Sequence, residues 1–491
     1  MPAARTDVLV LGGGPAGCAA ARLLAEWGHD VVLVTRPLPP SPQLAESIPP
    51  STGKLFDLLG IREAIDQAGF IRSTGHTVWW GLDPVRLEPF ADGARGWQAT
   101  ANQLEPLLQS AAGAAGVHLE YGRVNADEAI ARGATFILDC TGRTGVMARA
   151  RGWRTYEPAH RTVALVGLWR AQTRFDVADQ THTLIESYAN GWAWSVPRSG
   201  PSPQASGPRS RSAGSRLDRY VAVMVDPRSS ELAHDRTACN VYMAEIQKTR
   251  FLAVLTRDAT LVEGPSGWDA SMYSSTRYAS DAVLLVGDAG SFVDPLASIG
   301  VKKALASGWL AAVATHTALI RPSMRTTALD FFSTREAEIY GAFRAMTAQY
   351  LADAATGHAH PFWSDRAERD GVESADDTDV ARVAFERIRR ADSIMLQRAP
   401  GLRVEERPTI AGSEIVLESR IVSETNLAGV RYLYDVDILA LTDMAPSHVQ
   451  VPDLFEAYNR RHAPVSLPDF LAALSTAVAR DYLLFTRDPG A

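Results

Sequence analysis

Two clusters of residues in this chain have the types and spacing to hold a dinucleotide. Gly12-Gly13-Gly14-Pro15-Ala16-Gly17 follows the apolar run Val8 to Leu11. Glycines there let the backbone turn tightly against a pyrophosphate, and the helix expected to begin near Ala19 points its N-terminus at anions. Much later, a strand over 282–286 ends in Gly287-Asp288, and Asp294-Pro295-Leu296-Ala297-Ser298-Ile299-Gly300 leads into the mostly apolar stretch 301–312, read as a helix. Asp288 at a strand end can accept hydrogen bonds from sugar hydroxyls, and the helix start at Gly300 and Val301 offers free amides and a positive dipole. The plainer reading of the second cluster is an ordinary strand, turn and helix. Both clusters in one chain, in this order, argue for a bound nucleotide cofactor.

The elements that must position these residues read as alternating strands and helices. Residues 5–60 give strand, glycine turn, helix, strand (31–35), a proline-rich loop and a helix from Ser51. Further strands are expected at 117–121 and 134–142, so the opening section is the first half of a dinucleotide-binding unit. The acidic residue expected about 20 positions beyond the glycines is absent; Thr35-Arg36 stands there instead. An adenosine ribose must then be held by a hydroxyl or a guanidinium, or a 2'-phosphate could be tolerated. Residues 74–97 and 161–280 shift to alternating strands and form an inserted sheet, interrupted by a Ser-, Pro-, Gly- and Arg-rich loop at 199–215. Helical patterns dominate from 304 to 398, broken at 357–361. At the end, a strand over 431–441, helices over 451–462 and 466–484, the second opened by a Ser466/Asp469 capping box, and a trailing 483–486 segment make a small winged-helix-like module.

Composition narrows the class. The chain has 491 residues, enough for two or three domains, and a net charge of −7 with no long basic run, which argues against nucleic acid as a partner. Cys18, Cys140 and Cys239 are scattered, with neither metal-type spacing nor a disulfide framework. No stretch approaches the ~20 apolar residues of a membrane span, and the first strand leaves no room for a signal peptide. The expectation is a soluble, cytoplasmic enzyme that needs no metal and no membrane.

A strand ending in Gly287-Asp288 resembles the way flavin-binding enzymes of the glutathione reductase and aromatic hydroxylase type grip a ribityl chain. Gly191-Trp192-Ala193-Trp194-Ser195-Val196-Pro197 is similar to the Trp-x-Trp-x-Ile-Pro signature of flavin-dependent tryptophan halogenases. Ala45-Glu46-Ser47-Ile48-Pro49 resembles that family's flavin-contacting strap, Asp139-Cys140-Thr141-Gly142 its Asp-Cys-Ser-Gly turn, and Pro361-Phe362-Trp363 with Arg366 its Pro-Phe-Trp helix. The resemblance spans about residues 5–370. It implies FAD as cofactor, held by Gly12, Gly14, Ala16 and Gly17 at the pyrophosphate and by Thr35 and Arg36 near the ribose. Ser47, Ile48 and Gly142 would touch the flavin, with Asp288, Pro295, Ser298, Gly300 and Val301 completing its site. The implied fold is α/β: a Rossmann-like FAD-binding domain (1–73, 98–160 and 281–320), an inserted β-sheet substrate domain (74–97 and 161–280), a helical region (321–420) and the winged-helix-like module (421–491).

Departures from the family steer the expected chemistry. Its halogenases use a lysine to carry or steer hypohalous acid; aligning Gly69-Phe70-Ile71-Arg72 on the lysine-bearing strand puts Arg72 there, and arginine stays protonated and delocalised. A glutamate beside the family's chloride-site serine is replaced by Ala297, next to Ser298. These changes point to a monooxygenase that transfers oxygen from reduced flavin and O2 to an electron-rich ring. Arg72, Trp194 and His76 are the catalytic candidates, with Trp192 as a pocket wall; Trp79 and Trp80 are as readily plain core. The resemblance extends to flavoproteins that hydroxylate a tryptophan within a peptide or protein during quinone cofactor maturation. Its partners would be that polypeptide, and NAD(P)H or an external flavin reductase as electron source. The alternatives are a halogenase of a free or carrier-bound aromatic and a non-catalytic flavin-binding scaffold.

Overall fold

The structure is a computed structural model that describes residues 6–37, 45–199, 217–228, 237–280, 282–367, 377–391 and 393–486. The loop expected at 199–215 lies, apart from the backbone of Ser199, outside these residues. Two units are resolved by their internal contacts, 1–369 and 370–491, so the boundary falls well before residue 421.

In the first unit Val8–Leu11 is a continuous apolar strand, at most 2% exposed, because helices cover both faces of a parallel sheet. The sheet has five parallel strands in the order Val283–Leu285, Phe136–Asp139, Val8–Leu11, Val31–Thr35 and His118–Tyr121. This is the Rossmann-like core, and the strand order reverses on either side of the first strand, the place where such sheets open a binding crevice. Helix Pro15–Glu26 leaves the first strand through the glycine turn and packs on helix Gly300–Ile320. The two helices touch backbone to backbone: a Cβ built on Gly308 would stand 2.4 Å from the Ala16 carbonyl oxygen.

The inserted sheet has seven strands in the order 259–269, 163–171, 217–225, 191–199, 183–188, 75–79 and 86–89. Along the 217–225 strand, residues 220–225 are buried and alternate between the two faces. Tyr220, Ala222 and Met224 join one core with Trp192, Trp80 and Trp363, whereas Val221 and Val223 join another with Trp169 and Tyr242. The Pro361–Ser364 helix is pinned to this sheet by Arg366. That side chain bonds Asp226 at 3.0 Å, donates to the Ala159 and Arg161 carbonyls and covers the Phe362 ring at 3.8 Å.

The second unit is built on a core that includes Ile388, Leu396, Ile421, Leu441, Tyr458, Phe470 and Tyr482. The expected helical region over 321–420 holds in Arg325–Ala355 and Asp377–Arg390, but a β-hairpin, Arg403–Ala411 with Glu414–Val422, follows. The hairpin's two strands pair antiparallel along their full length, and its turn is closed by Gly412 at φ +61°. The strand expected over 431–441 is two short bridged pieces followed by helix Ile438–Met444, because the Asp437 carboxylate caps that helix through the Ala440 N–H. Helices Val451–Arg461 and Leu467–Ala479 form as expected, Ser466 capping the second, and Leu483–Phe485 pairs with Leu396–Arg398. Among the described residues, no helix is long and apolar enough to cross a membrane.

Replacing Gly308 by alanine should force the two packed helices apart, with a cost of about 1–3 kcal/mol. A thermal melt with an unchanged midpoint would show that the contact is not tight.

Candidate active site

Two neighbouring cavities open in the first unit. The larger, about 530 Å³, runs from Thr35, Arg36 and Arg123 past Gly12 to Ala16, and on to Gly142, Asp288 and Trp268. The smaller, about 160 Å³, is walled by Trp192, Trp194, Trp268 and Phe292, with Glu46, Arg143 and Ser298 on its rim. Trp268 and Asp288 line both.

The larger cavity fits FAD on its own chemistry. Gly12 has φ +103°, and a Cβ there would lie 2.4 Å from the Cys140 carbonyl oxygen; one on Gly17 would overlap the Gly12 carbonyl oxygen. Only glycine lets these backbones meet and leaves the first-turn amides of helix Pro15–Glu26 facing the cavity, with no side chain capping them. At the other end Asp288 opens toward the cavity while Lys303, almost fully buried, holds one carboxylate oxygen at 3.2 Å and the Ser291 carbonyl at 2.6 Å. The carboxylate is thereby oriented and its charge balanced, leaving its second oxygen for ribityl-type hydroxyls. Glu336, 1% exposed and within reach of the Lys303 charge, is lifted by burial to about 7.

Behind the glycine turn the Asp139-Cys140-Thr141-Gly142 segment is closed by Asp139, whose carboxylate accepts from Thr141 N, Thr141 Oγ1 and Met147 N at 3.1, 2.6 and 2.7 Å. The later turn is closed by Asp294, which accepts from Leu296 N at 3.1 Å and which burial raises to about 6. Ser298 ends this turn at φ +50°, an uncommon conformation for a residue with a Cβ, and faces the smaller cavity.

The smaller cavity is aromatic with polar edges. Trp192 is 1% exposed. The indole N–H groups of Trp194 and Trp268 are buried without a hydrogen-bond partner. Arg143 lies over the Trp268 and Phe292 rings at 5.6 and 5.3 Å and donates to Asp269 O. Burial raises the Glu46 carboxyl above its ordinary range and the Asp288 charge adds to this, against the pull of Arg143. Although protein surrounds it, Glu46 remains open to the cavity.

Most of the residues expected from sequence come together here. Gly12, Gly14, Ala16, Thr35, Arg36, Gly142 and Asp288 line the larger cavity, and Ser47, Trp194, Pro295, Ser298 and Gly300 the smaller. Gly17, Ile48 and Val301 line neither; Gly17 acts through backbone packing, and the Ile48 and Val301 side chains are buried.

Two expected catalytic residues stand elsewhere. Arg72 bonds Asp66 at 2.9 Å and the Gly96 carbonyl, and lies over the Trp97 ring at 4.8 Å. These contacts tie together the segment around Trp97. His76 meets the Phe90 ring edge-on, and burial lowers its pKa. Trp80 bonds the Tyr350 carbonyl and Trp79 stacks on Phe251, both as core. Sequence reading missed Trp268, Phe292, Arg143 and Glu105 as cavity residues: Trp268 and Glu105 come from elements with no motif of their own, and Arg143 and Phe292 stand just outside the quoted motifs. Glu46 stood inside the strap segment without being singled out.

A family model described as an FAD binding domain matches residues 5–314. A flavin-dependent halogenase of Armillaria mellea is 30% identical over 354 residues, covering 64% of this chain and 65% of that protein. A tryptophan 2-halogenase of Chondromyces crocatus is 27% identical over 349 residues, covering 67% and 64%. The match thus spans slightly less than two thirds of the length of these two relatives. Among solved structures, the flavin-dependent halogenase CmlS superposes with a TM-score of 0.75 at 19% identity, over 98% of this chain and 96% of that one. The peptidyl tryptophan dihydroxylase QhpG, essential for tryptophylquinone cofactor biogenesis, gives 0.62 at 20% identity, over 92% and 95%. At these identities the two structures share the fold.

Asp288→Ala should weaken FAD binding about tenfold or more, since a charged acceptor is lost. Arg72→Gln should cost about 1 kcal/mol of stability and leave FAD affinity unchanged. Flavin fluorescence titrations and melts of both variants check this; a large loss of FAD affinity in Arg72→Gln would overturn the placement of Arg72.

Proposed function

The chain belongs to the FAD-binding domain family, and on that premise we propose that it is a flavin-dependent enzyme that oxidises an electron-rich aromatic ring held in the smaller cavity. The observation that carries this reading is the junction of the two cavities at Trp268 and Asp288, which sets a ring-sized aromatic pocket against the flavin end of the cofactor site. Reduced FAD with O2 supplies the oxidising equivalent when bound, with electrons from NAD(P)H or a separate flavin reductase.

The chain's own residues bind and orient the substrate. Trp192, Trp268 and Phe292 offer flat walls for stacking. The free N–H groups of Trp194 and Trp268 meet acceptors on the ring's substituents, and Arg143 meets an anionic one. Glu46, a stronger base where burial raises its carboxyl, is placed to take up the proton the ring loses.

The first product reading is a halogenated ring, supported by the relatives of Armillaria mellea and Chondromyces crocatus. The second is a hydroxylated ring, and in its narrower form a tryptophan within a polypeptide on its way to a quinone cofactor. A specific observation favours it: among the described residues no lysine lines either cavity, and Arg143 is the smaller cavity's single cationic side chain. The likeness to QhpG adds support at the level of fold.

Holoprotein supplied with reduced flavin and O2 should modify free tryptophan or a tryptophan-containing peptide, followed by mass spectrometry with and without chloride or bromide. Gain of a halogen selects the first reading, and gain of oxygen regardless of halide selects the second. Unchanged mass across a panel of indoles and phenols, with FAD bound, would sink the enzyme reading in favour of a scaffold.

A further inference from the structure

The second strand of the parallel sheet ends in Thr35-Arg36 and brings no carboxylate to the adenosine end of the larger cavity. Thr35 is already committed, because its hydroxyl accepts the Gly13 N–H at 3.1 Å and props the glycine turn. Among the described residues, two carboxylates line this cavity. Asp288 belongs to the end shared with the aromatic pocket; the other is Glu105, which comes from a different element.

Glu105 stands on helix Ala101–Ala114, opened by a Thr100/Gln103 capping box. The helix packs on Pro15–Glu26 and is held to the glycine turn from its own side: Gln109 Nε2 donates to Gly13 O at 3.0 Å, and Arg22 donates to Ala111 O at 2.6 Å. This register brings Glu105 over the turn, its Oε1 3.6 Å from the position a Cβ on Gly14 would occupy. Among the described residues its carboxyl has no hydrogen-bond or ion-pair partner, while Arg36 and Arg123 line the same end of the cavity. We propose that Glu105 is the acceptor for the adenosine ribose hydroxyls of FAD, the role passing from the end of the second strand to the neighbouring helix.

The inference rests on FAD binding alone and holds whichever atom the enzyme adds to its substrate. A hydroxyl pair donating to one carboxylate is a charge-assisted arrangement, stronger than a neutral acceptor at the same place. The positive charges of Arg36 and Arg123 offset the crowding of a carboxylate beside a pyrophosphate.

The assignment carries a pH dependence of known sign. Burial lifts the Glu105 carboxyl to about 7; the Arg36 charge opposes this and Glu46 adds to it, while the Cys18 thiol, which also faces Glu105, is held neutral by burial. Below that value the group is protonated before FAD arrives, and binding must release the proton to regain the ionised acceptor. Affinity therefore falls as pH falls through about 7.

The test compares FAD with an analogue lacking both adenosine ribose hydroxyls, each titrated into the apoprotein by flavin fluorescence. Wild type should prefer FAD about tenfold or more, and the preference should shrink between pH 8 and pH 5.5. Glu105→Gln, close to isosteric, should bind both compounds alike, with a melt showing that the variant is folded. Retention of the full preference in Glu105→Gln overturns the assignment, as does a wild type that does not distinguish the two compounds. Should the variant not fold, the pH series on wild type decides, because a preference constant with pH is also incompatible with Glu105 as the acceptor.

Discussion

Three backbone contacts that admit no side chain hold the cofactor half of the molecule in register. Gly17 lies against the Gly12 carbonyl, Gly12 against Cys140, and Gly308 against Ala16. The first strand, the helix after it, the 136–139 strand and the 300–320 helix are therefore drawn to one point, where repulsion rises within tenths of an ångström. Because these elements cannot slide past one another, the free amides of the first helix, the Thr141-Gly142 turn and Asp288 keep fixed separations. A cofactor spanning that distance meets a preformed site, and Trp268 of the inserted sheet lines its wall.

Charge is distributed along the larger cavity so that each carboxylate has a neighbouring cation. Lys303 holds Asp288 at one end, and Arg36 and Arg123 stand with Glu105 at the other. The smaller cavity differs: Glu46, Asp288 and a single guanidinium share an aromatic box with two unsatisfied indole donors. Buried donors without partners are costly in a finished protein, and both of these stand in the wall of the smaller cavity.

The fold was legible in large part because its signals are local. The run Val8 to Leu11, the glycine turn and the Gly287-Asp288 strand end each carry their meaning within a few residues, and the parallel sheet follows from their alternation with helices. The hairpin at 403–422 and the short helix at 438–444 were not legible. Val436-Asp437-Ile438 suits a strand as well as a helix start, and the choice depends on Asp437 turning back to cap Ala440. Arg72 shows a related limit: the resemblance put it at a lysine position, but whether its guanidinium faces a cavity or the Trp97 ring depends on Asp66, six residues away and on a helix.

By itself, then, the amino-acid sequence determined a chain that binds FAD, and it located the glycine turn, since that turn lies in backbone conformations that only certain residues permit. The resemblance of Gly191 to Pro197 to a family signature also singled out Trp192 and Trp194, and both line the smaller cavity. The tertiary structure alone decided which side chains share a wall. Glu105, Arg143, Trp268 and Phe292 reach the cavities from four separate elements, and nothing in the spacing of residues along a chain encodes the packing that brings them within a few ångströms of one another.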